Sequence, residues 1–186
     1  MHMIEKERPF EYTDMIPGYC TLYIDYVPGQ VTYQRICHLI KALSLHAHEV
    51  ALPPHTLHEI PTVYGGEGGP DLKDVASING LSIEEVVKLH CEGLYYVYML
   101  GFAPGFPYLG GLNPKIAAPR LEKPRLAVPR GSVGIAGMQT GIYPIKSPGG
   151  WRIIGRTSIP LFSPEKSEPI LFKARDFLKF KAIDII

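Results

Sequence analysis

The sequence predicts a mainly β protein: an antiparallel barrel or sandwich of short strands, preceded by a small α/β piece. Two observations carry this. Strand-like runs rich in β-branched and aromatic residues recur from Tyr95 to the C-terminus, separated by turn residues too closely to leave room for βαβ units. Residues 101–150 also hold 10 of the 19 glycines and 8 of the 18 prolines, interleaved with aromatic rings and arginines. Proline fixes φ, glycine admits φ > 0 and close backbone approach, and large rings bury area along an irregular backbone. Such a segment forms ordered, shaped loops between short strands, the composition of a binding surface rather than of a linker.

Composition narrows the class. A chain of 186 residues suffices for one domain plus a small one, burying roughly 70% of its unfolded surface. The formal charge is +1 with no extended basic run, which argues against nucleic acid as a partner. No apolar run approaches a membrane span, and Glu5, Lys6, Glu7 and Arg8 occupy the place of a signal peptide's apolar core, so the expected location is cytoplasmic with no membrane contact. Cys20, Cys37 and Cys91 lack C-x-x-C spacing and read as small buried residues rather than disulfides or zinc ligands.

In order along the chain, Cys20 to Asp25 reads as a strand. Thr32 can cap a helix whose Ile36, Leu39, Ile40 and Leu43 follow i, i+3, i+4, i+7 spacing. One strand and one helix cannot bury each other's faces, so residues 1–52 are expected to be a partial α/β domain. Pro53-Pro54 marks the boundary, and a second domain is expected over 56–186. There, Glu59 to Tyr64 reads as a strand at a sheet edge, because Pro61 has no N–H for a ladder. Two short helices follow: one begins at Asp71, with Asp74 three residues on, and the other at the capping box Ser82 with Glu85, while Gly80 and Gly93 stand as their C-terminal stops. Tyr95 to Phe102 reads as a buried strand leading into the Gly/Pro segment. Further strands are expected at Ser132–Ala136, Gly141–Ile145, Trp151–Gly155, Pro169–Phe172 and Phe177–Ile183.

Several residues are candidates for chemistry. His46, His48, His55 and His58 cluster in sequence, but no element fixes their geometry and no cysteine or carboxylate set completes a zinc site, so no metal is expected. His90 falls in the last turn of the second helix, where the dipole favours a protonated ring; it reads as a general acid/base or, alternatively, as a histidine packed under the loop. Arg120, Arg125 and Arg130 each follow a proline, which holds a guanidinium fork on extended backbone in a geometry suited to carboxylate or phosphate. The competing use is ion pairing. Gln139, Thr140 and Tyr143 can offer neutral hydrogen bonds to an amide or carboxylate, or satisfy turn backbone. There is no Walker A loop and no G-x-G-x-x-G after a strand, so ATP chemistry must be supplied by another chain.

The string from Tyr98 through Gly101-Phe102-Ala103-Pro104-Gly105-Phe106-Pro107-Tyr108-Leu109-Gly110-Gly111, the Pro-Arg repeats, Gly131-Ser132-Val133-Gly134-Ile135-Ala136-Gly137, Gln139-Thr140-Gly141, Tyr143-Pro144 and Ser147-Pro148-Gly149-Gly150-Trp151 closely resembles the KipI/PxpB family. Its members are also called allophanate hydrolase subunit 1 and the B subunit of 5-oxoprolinase. The resemblance implies a cyclophilin-like β-barrel from about residue 56, preceded by a smaller α/β domain. Family members carry more chain ahead of the Ile16 region, so the α/β domain is expected to be truncated. The resemblance further implies a KipA/PxpC-type partner and a LamB/YcsF-type partner, which together open 5-oxoproline to glutamate at the expense of ATP.

On that reading the Gly/Pro face holds substrate, with Arg120, Arg125, Gln139 and Tyr143 gripping it and His90 moving a proton. Arg130 stands where a small residue is expected, so it is not assigned. The alternative implied by the resemblance is an inhibitor of a sporulation histidine kinase, in which Phe102, Phe106, Tyr108 and Trp151 grip the partner and no chemistry occurs on this chain.

Overall fold

The computed structural model describes residues 1–46 and 54–186, which divide into two compact units, Met1–Pro54 and His55–Ile186. Pro53 of the expected boundary lies outside the described residues.

The first unit contains α1 (His2–Glu7), β1 (Tyr12–Pro17), β2 (Leu22–Tyr26) and α2 (Tyr33–Leu45). The Thr32 hydroxyl accepts from the Arg35 N–H, capping α2. Ile36 on the apolar face of that helix packs with Ile4 and Phe10, flanked by Leu39, Ile40 and Leu43. β1 pairs antiparallel with β2. It is not apparent in the sequence, where Thr13 and Asp14 interrupt the apolar pattern and Pro17 ends it.

The second unit is a closed barrel. Its strands are β3 (Leu57–Tyr64), β4 (Tyr95–Leu100), β5 (Pro107–Gly110), β7 (Ser132–Ala136), β8 (Gln139–Ile142), β10 (Arg152–Arg156) and β11 (Phe177–Ile185). They close in the order β10-β3-β11-β4-β5-β8-β7. All neighbours are antiparallel except β3 and β11, which run parallel. β6 (Arg125–Val128) and β9 (Ser147–Gly149) form a separate two-stranded ribbon. The helices α3 (Leu72–Asn79) and α4 (Ile83–Glu92) contribute Leu72, Val75, Val86 and Val87 to the same core as Ile60, Leu109, Ile135, Ile142 and Phe180 of the barrel.

The capping box of α4 is present in both directions between Ser82 and Glu85, and Gly80 ends α3 at φ 64°. Three expectations are corrected. β3 is not an edge strand, since β11 pairs along its length and β10 pairs at Val63 and Tyr64. Pro61 is tolerated because the β10 ladder does not reach it, leaving β3 one neighbour at that point.

Gly93 is not a left-handed stop: it lies at φ −64°, ψ 138°, and the Tyr95 hydroxyl donates to the His90 carbonyl at 2.7 Å, satisfying the last turn of α4. A Cβ on Gly93 would lie 2.6 Å from the Tyr95 ring, so glycine here makes room for that cap. Around Pro169–Phe172 only an isolated bridge, Phe162 with Ile170, is formed.

Candidate functional site

The Gly/Pro segment folds into a second, smaller cluster against the barrel wall. Phe106 lies at its centre, 2% exposed. Trp151 stands perpendicular to it with centroids 5.4 Å apart, Tyr143 at 5.3 Å, Tyr108 at 5.1 Å and Phe102 at 5.4 Å. Edge-to-face packing of this kind adds to area burial. Val128, Ala136 and Ile153 complete the cluster. Phe102 alone among these rings is largely in solvent, 62% exposed, and holds φ 64°, a conformation that costs a non-glycine residue about 1–3 kcal/mol. All four aromatic residues singled out from the sequence are therefore brought together.

Arg125 is held on one side of this cluster. Its Nη2 donates to Asp71 Oδ1 at 2.7 Å, and Asp71 Oδ2 accepts the Ile153 N–H at 2.6 Å while the Asp71 N–H donates back to the Ile153 carbonyl at 2.9 Å. Asp71 thus extends the β10 ladder instead of capping α3, for which it makes no side-chain bond. The other Arg125 donor group, Nη1, is shielded and has no partner among the described residues; nor has the Ser147 hydroxyl on the paired strand β9.

Burial pushes the Tyr143 phenol above its usual pKa, against the Trp151 backbone N–H and the positive fields of Arg120 and Arg125. Both guanidinium groups therefore act on one phenol oxygen. Arg120 is exposed. Gln139 is half-buried and pairs in register with Ala136, a member of the aromatic cluster. Glycine is required where Tyr143 comes closest, because a Cβ on Gly149 would collide with the phenol oxygen.

His90 lies elsewhere. Its ring is 0% exposed in the barrel core, stacked 4.4 Å from Phe180. Nδ1 is 2.7 Å from the Tyr64 hydroxyl and Nε2 is 3.0 Å from the Thr140 hydroxyl. Thr140 donates its single proton to the Gly134 carbonyl, so it accepts from His90 Nε2–H, and Nδ1 accepts from Tyr64. The expected protonated ring is corrected: complete burial disfavours the charged form and lowers the His90 pKa to about 3. The helix dipole does not outweigh that desolvation.

Of the clustered histidines, His58 Nε2 contacts Asp176 Oδ2 at 2.9 Å and His55 packs on Phe177 with centroids 4.8 Å apart; His48 lies outside the described residues. Asp71 and Tyr64 escaped functional notice in the sequence. For Asp71 a signal existed, a carboxylate directly after Gly69-Pro70, but it reads first as a helix start.

The topology defines a cyclophilin-like barrel with a proline- and glycine-shaped face on one wall. The chain belongs to the family described as carboxyltransferase domain, subdomain C and D, whose model matches residues 1–172. It is similar to a Bacillus subtilis protein named as the B subunit of 5-oxoprolinase, 60% identical over 125 residues, 67% of this chain and 52% of that one. An Escherichia coli protein of the same name is 54% identical over 132 residues, 71% of this chain and 61% of that one. The chain thus spans between half and two thirds of the length of these curated relatives. Among solved structures, a conserved uncharacterized protein of Pyrococcus horikoshii is similar over 98% of this chain and 84% of its own, with 48% identity and a TM-score of 0.67.

Proposed function

We propose that the chain is a non-autonomous component of an ATP-dependent 5-oxoprolinase, acting with KipA/PxpC-type and LamB/YcsF-type subunits. The reaction consumes two waters: one opens the ring amide of 5-oxoproline to give glutamate, and the other is taken up as ATP becomes ADP and phosphate. The nucleotide is bound by one of the partners. The names carried by the Bacillus subtilis and Escherichia coli relatives support this reading.

One observation carries the site: Arg125 is locked through Nη2 to Asp71 while Nη1 is left without a partner among the described residues. A guanidinium held by a buried carboxylate on one side is pre-oriented on the other. Nη1 is shielded in the free chain but the side chain is 31% exposed, so 5-oxoproline would have to displace the cover of Nη1 to offer it a carboxylate. Arg120 supplies a second positive charge, Tyr143 and Gln139 supply neutral hydrogen bonds, and the flat ring of the substrate rests on the aromatic wall. His90, sealed in the core, serves as a positioning residue that ties α4 to β8 through Thr140.

The test is reconstitution with both partners, ATP and 5-oxoproline, assaying glutamate. Arg125→Gln should lower turnover by a factor of about 100 or more, as expected for loss of a charge-assisted contact. Full turnover in both Arg125→Gln and Tyr143→Phe would overturn the site.

A second reading rests on the exposure of Phe102 and on Leu126, 92% exposed on β6: an apolar surface that grips a histidine kinase. It requires inhibition of kinase autophosphorylation that is lost in Phe102→Ala.

A further inference from the structure

Two other arginines, distant in sequence, converge on the far end of β10. Arg130 occupies the turn into β7 and Arg156 ends β10, where it pairs with Ser132. The Arg156 Nε donates to the Arg130 carbonyl at 3.0 Å, which ties its guanidinium to the turn. The turn approaches β10 this closely because residue 131 is glycine: it holds φ +82°, and a Cβ there would collide with the Thr157 carbonyl.

Both arginines line an open cleft of about 490 Å³ with Thr157, Glu67, Val63 and Ile183. Neither arginine forms an ion pair among the described residues, and neither does Glu67. The cleft thus carries two positive charges and one negative, a balance of one. The Thr157 hydroxyl accepts from the Ile159 N–H at 3.3 Å and keeps its own proton to donate. Val63 and Ile183 give one wall that is apolar.

We propose that this cleft binds a small organic monocarboxylate. Its carboxylate lies between Arg130 and Arg156, with the Thr157 hydroxyl donating, and its carbon body rests on Val63 and Ile183. Guanidinium forks match a planar carboxylate, and a single negative charge balances the cleft. The site is separate from the Arg125 face and does not depend on the activity proposed for it.

The test is titration of the full chain, followed by amide NMR shifts at Gly68 and Gly131, with three probes: butyrate, inorganic phosphate and n-butanol. Butyrate is expected to give saturable shifts with a dissociation constant on the order of millimolar, weakening as salt is raised. Arg130→Gln and Arg156→Gln should each weaken it by about tenfold or more with thermal stability unchanged, since both side chains are exposed. Arg125→Gln should leave it unaltered, which separates this result from any failure of the 5-oxoprolinase reading. No saturable shift with butyrate, equal binding in both arginine variants, n-butanol binding as tightly as butyrate, or phosphate doing so would each overturn the proposal.

Discussion

The Tyr64 hydroxyl lies 2.7 Å from His90 Nδ1 in the barrel core, and this bond links β3 to α4. Because Nε2–H is committed to Thr140, Tyr64 is the one donor among the described residues that satisfies Nδ1. Tyr64→Phe removes it and strands a buried acceptor. The expected cost is about 1–3 kcal/mol, read as a lower midpoint in urea with an unchanged slope. A midpoint equal to that of the parent chain would refute the hydrogen-bond assignment.

The same burial makes stability depend on pH. The unfolded chain takes up a proton on this histidine as pH falls through 6.5, whereas the folded chain holds it neutral to about 3. The unfolded state therefore binds more protons across that window. Stability is complete above pH 6.5 and falls as pH drops, by up to ~1.4 kcal/mol per unit. Asp176 acts lower. Burial alone would raise its pKa, but the Lys173 and Thr56 N–H groups and His58 hold it below the usual range, so its contribution is lost only below the ordinary carboxylate value. His90→Gln should flatten the dependence between pH 6 and 4, measured by urea unfolding; an unaltered slope would show that another group titrates there.

The partnership of Arg125 with Asp71 is asymmetric. Asp71→Ala removes the acceptor of a buried Ile153 N–H as well as the ion pair, whereas Arg125→Ala leaves Asp71 still accepting that N–H. Arg125 is also partly in water, its side chain 31% exposed, which screens the pair. Asp71→Ala should therefore destabilise more than Arg125→Ala, by at least about 1 kcal/mol, in thermal unfolding. A larger loss from Arg125→Ala would contradict the view of Asp71 as an extension of the β10 ladder.

What the sequence disclosed was mostly local. The α2 cap at Thr32, the capping box at Ser82 and the αL glycine at position 80 depend on neighbours three or four residues away, and each stands where the residues point. What it concealed was long-range. The parallel pairing of β3 with β11 joins residues more than a hundred positions apart, and it turns an apparent edge strand into a barrel stave. Arg125 meets Asp71 across 54 positions, so neither residue announces the other. The clustering of the aromatic rings was legible because rings amid prolines and glycines must bury their area against one another. The burial of His90 was not, since a histidine in a last helical turn looks the same in sequence whether the helix faces water or a barrel core.

Phe102 and Phe106 should separate stability from function on the aromatic face. Phe106 is buried against four rings and belongs to the cluster that packs on β7 and β10, so Phe106→Ala should cost about 3–5 kcal/mol. Phe102 packs on Phe106 from the solvent side at φ 64°. Glycine adopts that backbone without strain, so Phe102→Gly should leave the melting temperature within about 2 °C of the parent, the lost ring contact being offset by relief of the backbone. The same variant removes the exposed ring that a substrate or partner would meet. It should therefore weaken glutamate formation in the reconstituted complex, or kinase inhibition under the second reading, while the fold persists. If Phe102→Gly melts as early as Phe106→Ala, Phe102 is part of the core rather than the contact surface, and both uses of the face fail together.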